Sequence, residues 1–225
     1  MEQIEKNTVK AENQLNGNEH ITYINAEGKG IRILFVGNSI TRHGVKPEIG
    51  WFHDWGMAAS AKEKDYVHLV VSKVQQEEPD AAFCICQGSE WELNWEHGES
   101  VFSKYQEARD FAADVIIMRV IENCPRQNYE CEHFGSEYQK FIAFLDLHGT
   151  AKKITMTSFW KSHADDAIKA VACKYHYSIV ELGDLGEDDT MKATGLFEHK
   201  GVAMHPGDNG MRVIAERVCK AMCKS

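Results

Sequence analysis

Acyl transfer by a serine needs a nucleophile, a base within hydrogen-bond reach, and donors for the oxyanion that develops on the carbonyl. Residues of the right type stand at four places in this chain. Ser39 lies in Gly37-Asn38-Ser39, where an apolar run stops abruptly. Gly88 follows a second apolar run and could offer a bare backbone N–H, with Ser89 as the alternative. Asn123 follows a third run, and its side-chain amide can donate. His205 ends a long polar stretch and immediately precedes Pro206. Taken alone, Ser39 has a second reading, as the N-cap of a following helix.

The elements that must position these residues can be read from hydrophobic periodicity. Ile31–Val36 is apolar and β-branched, bounded by Gly30 and Gly37, and reads as a strand buried on both faces. Four more runs read the same way: Ala81–Cys86, Asp114–Val120, Lys153–Phe159 and Ser178–Leu182. Between and after them, helices are expected over Ala58–Lys64, Tyr66–Gln76 (capped by Asp65), Val101–Phe111, Phe134–His148, Asp165–Tyr175 and Pro206–Met222. His20–Ala26 alternates, and the Glu27-Gly28-Lys29-Gly30 turn predicts an edge strand hairpinned onto Ile31–Val36. Residues Met1 to Glu19 are polar and read as a loosely attached extension.

Strand and helix thus alternate five times. That pattern predicts one α/β domain over residues 20–225, with a five-stranded, mainly parallel sheet covered by helices on both faces. Ser39, Gly88 and Asn123 then fall at the carboxyl ends of parallel strands, where open α/β sheets bind ligands. The Gly183–Met204 loop is long enough to expect a functional role, and it leads to His205.

The order Gly37-Asn38-Ser39-Ile40-Thr41, Gly88, Glu122-Asn123 and His205-Pro206-Gly207-Asp208 resembles the four motif blocks of the SGNH/GDSL hydrolase superfamily of serine esterases, acylhydrolases and carbohydrate deacetylases. The resemblance spans about Ile31 to Met222. It implies a flavodoxin-like three-layer α/β/α sandwich and no metal or organic cofactor. It also implies a catalytic pair of Ser39 as nucleophile and His205 as base, with an oxyanion hole formed by the Ser39 and Gly88 N–H groups and the Asn123 amide. Asn38 stands where many members have Asp. Two positions depart from the family pattern: Ile121 stands where a Gly is usual, and Val202 stands where an Asp three residues before the His would orient the imidazole. The preferred reading is therefore a Ser–His dyad whose ring is held by a backbone carbonyl. Glu198 is the alternative orienting acid, and Asp208 is read as capping the last helix.

Trp51, Trp55, Trp91 and Trp95 flank the Ser39 and Gly88 loops. Each alone reads as core, but together they suit the face of a sugar or an acyl chain. With family habit they point to an ester of an O-acylated carbohydrate or another small acyl ester, with Trp51, Trp91 and Glu122 as candidate substrate contacts. Arg119 lies inside a strand and must be paired, with Glu122 or with a substrate carboxylate. A non-catalytic carbohydrate-binding module on the same scaffold is the alternative, motivated by Val202. A metal-dependent phosphoester hydrolase has less support, because the histidines show no close metal-ligand spacing.

Composition narrows the partners. Hydrophobic residues make up 43% of the 225, enough for a sizeable core. A net charge of −9 with no basic run argues against nucleic acid. No apolar stretch approaches the roughly 20 residues of a membrane span. The N-terminal residues have no apolar signal core, and the seven cysteines form no Cys-x-x-Cys pair, so a reducing cytoplasm is the expected setting.

Overall fold

The computed structural model describes residues 20–127 and 129–223; the expected extension Met1–Glu19 lies outside them. The strands are β1 (Ile21–Ile24), β2 (Arg32–Gly37), β3 (Ala82–Gln87), β4 (Val115–Arg119), β5 (Lys152–Met156) and β6 (Ser178–Val180). The α-helices are α1 (Tyr66–Glu77), α2 (Ser89–Leu93), α3 (Gln106–Asp110), α4 (Cys131–Leu145), α5 (Asp165–Tyr175), α6 (Gly183–Glu187), α7 (Lys200–Ala203) and α8 (Asp208–Met222). The strands form one sheet in the order β1-β3-β2-β4-β5-β6. The five strands from β2 onward pair in parallel, and β1 is antiparallel. The parallel strands follow the flavodoxin-like order, in which the chain reverses its direction of growth beside the first of them.

Alternation along the strands builds the layers. Ile33 and Phe35 of β2 join Phe83, Ile85 and Ile117 on one face, where Tyr66, Val67 and Val70 of α1 and Met211, Ile214 and Val218 of α8 cover them. Leu34 and Val36 join Cys84, Cys86, Ile116 and Met118 on the other. There Phe134, Tyr138 and Phe141 of α4 and Ile168 of α5 close the core. This is the three-layer α/β/α sandwich.

The edge strand differs from expectation in its partner. β1 pairs with β3, with Ile21 opposite Cys86 and Ile24 opposite Phe83. Both edges of β2 are already taken by β3 and β4, so no hairpin onto β2 can form. The intervening turn docks instead on Asp80 and Ala81, through Gly30 N–H to the Asp80 carbonyl (2.9 Å) and Asn25 Nδ2 to the Ala81 carbonyl (3.0 Å). The expected Ala58–Lys64 helix is also replaced, by a loop with a single 3₁₀ turn at Lys62–Lys64. Ala58 there is left-handed (φ 74°), and the Asp65 carboxylate draws the loop in through the Gly56 N–H (3.0 Å) while capping α1 at His68 N–H (2.7 Å). The Val101–Phe111 helix is mostly 3₁₀ through Tyr105 and α-helical only from Gln106. The long loop before His205 contains α6, a 3₁₀ turn at Asp189–Met191, and α7.

Candidate active site

The turn after β2 is built around Gly37. A Cβ there would meet Thr41 Oγ1 at 1.9 Å, so only glycine lets Thr41 fold back over the strand end. The Asn38 carbonyl accepts from the Thr41 (2.9 Å) and Arg42 (3.0 Å) N–H groups, closing the turn. Ser39 stands on the turn, half-buried, and no helix follows it directly, so the capping reading does not apply. Its Oγ lies 2.8 Å from His205 Nε2.

His205 reaches this point from the far end of the chain. Its loop is fixed by the Ala193 N–H to the His205 carbonyl (2.9 Å) and the Gly207 N–H to the Met191 carbonyl (3.0 Å). The imidazole Nδ1 lies 2.7 Å from the Gly201 carbonyl of α7. A carbonyl only accepts, so Nδ1 carries the proton and the Nε2 lone pair faces Ser39. Burial pushes the imidazole down to about 4, against the pull of Gly201, so the ring is a neutral base at ordinary pH. Trp160, which follows β5, packs edge-on against this ring at 5.0 Å and donates Nε1–H to the Met204 carbonyl (3.2 Å).

Gly201 occupies the role considered for an acid. Glu198 is exposed and makes no contact with the ring, so it is not the orienting group. Val202 is fully buried against Trp51, Met57, Ala58 and Ala193, which explains why no carboxylate stands there. Asp208 is neither the cap nor a partner of His205. Its carboxylate binds the Ser60 N–H (2.8 Å), the Ser60 hydroxyl (2.7 Å) and Lys64 Nζ (2.9 Å), tying the loop before α1 to the start of α8.

Gly88 is also reassigned. Its N–H donates to the Gly37 carbonyl at 2.6 Å, continuing the β2–β3 ladder, and is spent. What requires glycine there is packing: a Cβ would meet Val120 Cγ1 at 2.3 Å. The neighbouring Ser89 N–H donates to Gln87 Oε1 (3.1 Å). The Ser39 N–H has no partner among the described residues.

Beneath these groups lies a buried polar network, of which only the pairing of Arg119 with Glu122 was among the expectations. Arg119, at the end of β4 and 0% exposed, donates to Asn38 Oδ1 and to Glu122 Oε1. Asn38 Nδ2 donates to Glu92 Oε1 (2.9 Å) and Glu122 Oε2 (2.6 Å). Asn123 Nδ2 donates to Glu92 Oε2 (2.6 Å). An Asp at position 38 would oppose two carboxylates; an Asn offers them two donors and Arg119 an acceptor. Glu122 also accepts the Phe159 N–H (2.9 Å), so it is committed to the scaffold and is not a substrate contact. Trp51 and Trp91 are both 0% exposed. Trp51 Nε1 donates to the His43 carbonyl (3.1 Å), and Trp91 stacks on Phe141 at 5.1 Å, so both are core residues out of reach of a substrate.

Ser39, Asn123 and His205 open on one cleft of about 390 Å³. Ile49, Met57, Leu93 and Val202 give it apolar walls, with His43, Gln87, Ser89 and His199 as its other polar edges. Among the described residues, no three His, Cys, Asp or Glu side chains are grouped to hold a metal ion, and no helix is long and apolar enough to cross a membrane. The arrangement is a hydroxyl paired with a neutral imidazole beside unspent N–H donors.

No protein-family model and no curated protein sequence matches the chain. Solved structures do match in fold. The psychrotrophic esterase EstA from Pseudoalteromonas sp., in a structure inhibited by monoethylphosphonate, superposes with a TM-score of 0.55 at 9% identity, over 86% of this chain and 97% of that one. A two-domain esterase (CEX) active on acetylated mannans, co-crystallized with mannopentaose, gives 0.52 at 16% identity over 88% of this chain and half of that one. TesA gives 0.52 at 13% identity over 85% and 98%. At these identities the likeness is one of fold.

Proposed function

We propose that this chain is a serine hydrolase of the SGNH/GDSL type that cleaves carboxylic esters through a Ser39–His205 dyad. The observation that carries the reading is the 2.8 Å approach of Ser39 Oγ to the unprotonated Nε2 of His205 at the mouth of a cleft. The esterases that share the fold support it.

Ser39 Oγ attacks the acyl carbonyl while its proton passes to His205 Nε2. The Gly201 carbonyl holds the resulting imidazolium in place of a carboxylate. The oxyanion is met by the Ser39 N–H and the second Nδ2 proton of Asn123. Collapse expels the alcohol, protonated by His205, and leaves an acyl-serine. Water, deprotonated by the same ring, then releases the acid.

The modest cleft suits a short acyl group, and O-acylated carbohydrate is the substrate class we propose. Its support is the acetylated-mannan esterase of the same fold. The tryptophans no longer supply that support, because Trp51, Trp91 and Trp95 are core. The test is hydrolysis of an activated acetyl ester by wild type and by Ser39→Ala, with folding of both checked by circular dichroism. Activity lost in a folded Ser39→Ala protein is expected; equal rates would remove the esterase reading.

A further inference from the structure

Among the described residues, Glu92 is the one fully buried carboxylate in contact with the site that the dyad itself does not use. It lies on α2 between Trp91 and Leu93. Its Oε1 accepts three bonds, from Asn38 Nδ2 (2.9 Å), the Ile121 N–H (2.5 Å) and, at greater length, the Asn123 N–H (3.5 Å). Its Oε2 accepts a single close bond, from Asn123 Nδ2 (2.6 Å).

Asn123 belongs to no helix or strand. A side-chain amide on a loop can exchange its nitrogen and oxygen by rotation, which would replace an oxyanion donor by an acceptor. Only a partner that accepts and cannot donate selects one orientation, and a buried carboxylate is such a partner. We infer that Glu92 is a positioning residue of the ester-hydrolysing site, whose Oε2 fixes the Asn123 amide so that Nδ2 is the atom offered to the oxyanion. This assignment rests on the hydrolase reading above.

The surroundings make the device sensitive to protonation. Burial and the neighbouring Glu122 charge push Glu92 up to about 7, although bonds from Asn123, Asn38 and Ile121 pull the other way. Arg119 lies one residue removed, on Asn38 and Glu122. Tyr105 and Cys124 also face Glu92, and burial pushes both far above their usual values, so they stay neutral. An entering proton settles on Oε2, because Oε1 already holds three donors. There it meets Asn123 Nδ2, donor against donor, and the amide must turn. The donor is therefore in place above about pH 7 and lost below it, while His205 remains a neutral base down to about 4.

The experiment measures kcat and KM for an activated acetyl ester across the acid limb, in wild type, Glu92→Gln, Asn123→Ala and the double variant. At alkaline pH, Glu92→Gln is expected to lower kcat by about 100- to 1000-fold, the usual loss for one oxyanion donor, with KM nearly unchanged. In the Asn123→Ala background the same change should cost less than about threefold, because no amide is left to position. The acid limb near 7 should be present in wild type and absent from Asn123→Ala.

A purely structural Glu92 would instead lower kcat equally in both backgrounds and leave the limb intact, and either result overturns the assignment. Should Glu92→Gln not fold, the comparison of wild type with Asn123→Ala decides alone. Equal rates for wild type and Ser39→Ala would remove the hydrolase reading and this assignment with it. Ser39-dependent turnover with additive losses removes only the assignment.

Discussion

Arg119→Met tests the electrostatic ground on which the site stands. Arg119 is wholly buried, and its guanidinium serves two acceptors, Asn38 Oδ1 through Nη1 and Glu122 Oε1 through Nη2. Methionine has similar length but no charge and no donor. Glu122, itself only 7% exposed, would keep its bonds from Phe159 and Asn38 but lose its cation, with Glu92 still nearby. Removing one partner of a buried pair costs about 3–5 kcal/mol, because the other charge is left uncompensated. For a chain of this size, where 1 kcal/mol moves the melting midpoint by about 2–4 °C, the midpoint should fall by about 6–20 °C. Arg119→Lys keeps the charge but not the two-pronged geometry and should fall between the two. Thermal unfolding at a single pH reads all three proteins. A loss below about 1 kcal/mol in Arg119→Met, the range of an exposed pair, would refute the network as drawn.

Two further substitutions separate the roles reassigned above. Gly88→Ala should destabilise by about 1–3 kcal/mol, since its Cβ meets Val120 Cγ1 at 2.3 Å in a packed core. Denaturant unfolding checks this, and an unchanged midpoint would return Gly88 to the list of candidate donors. Glu198→Ala should leave ester turnover within about twofold, because Gly201 already holds the ring. A tenfold loss would mean that the carboxylate, and not the carbonyl, orients His205 in turnover.

The order of strand ends carried the main features of this site in the sequence. Abrupt stops after Val36, Cys86 and Val120 locate the carboxyl edge of the sheet, and the polar loop before His205 must fold over it. Ser39 and His205 are 166 positions apart, yet their places in that order are enough to bring them together. What escaped the sequence was partnership. A glycine at a strand end shows a bare N–H, but not that the Gly37 carbonyl has claimed it. The missing Asp at 202 leads to the expectation of a backbone carbonyl on the ring, but not to Gly201 in particular, because every residue possesses a carbonyl. The tryptophans have the composition of a binding surface, and only packing reveals that Trp51 and Trp91 are inside. Glu92 gave one signal, a charge between Trp91 and Leu93 on a short helix, and that signal alone names no partner. Trp160 could have been found from its position just past a parallel strand end, where it meets the His205 ring. The edge strand failed for a topological reason: β2 has two parallel neighbours and no edge to offer.

The most direct test of the central claim is covalent. An activated organophosphonate ester should phosphonylate a hydroxyl only where a base removes its proton and donors hold the phosphonyl oxygen. Intact-mass and peptide mass spectrometry of the treated protein should find one phosphonyl group per chain, on Ser39, with loss of ester hydrolysis in step, and none in folded His205→Ala. An unlabelled Ser39, or full labelling that persists in His205→Ala, would contradict the dyad.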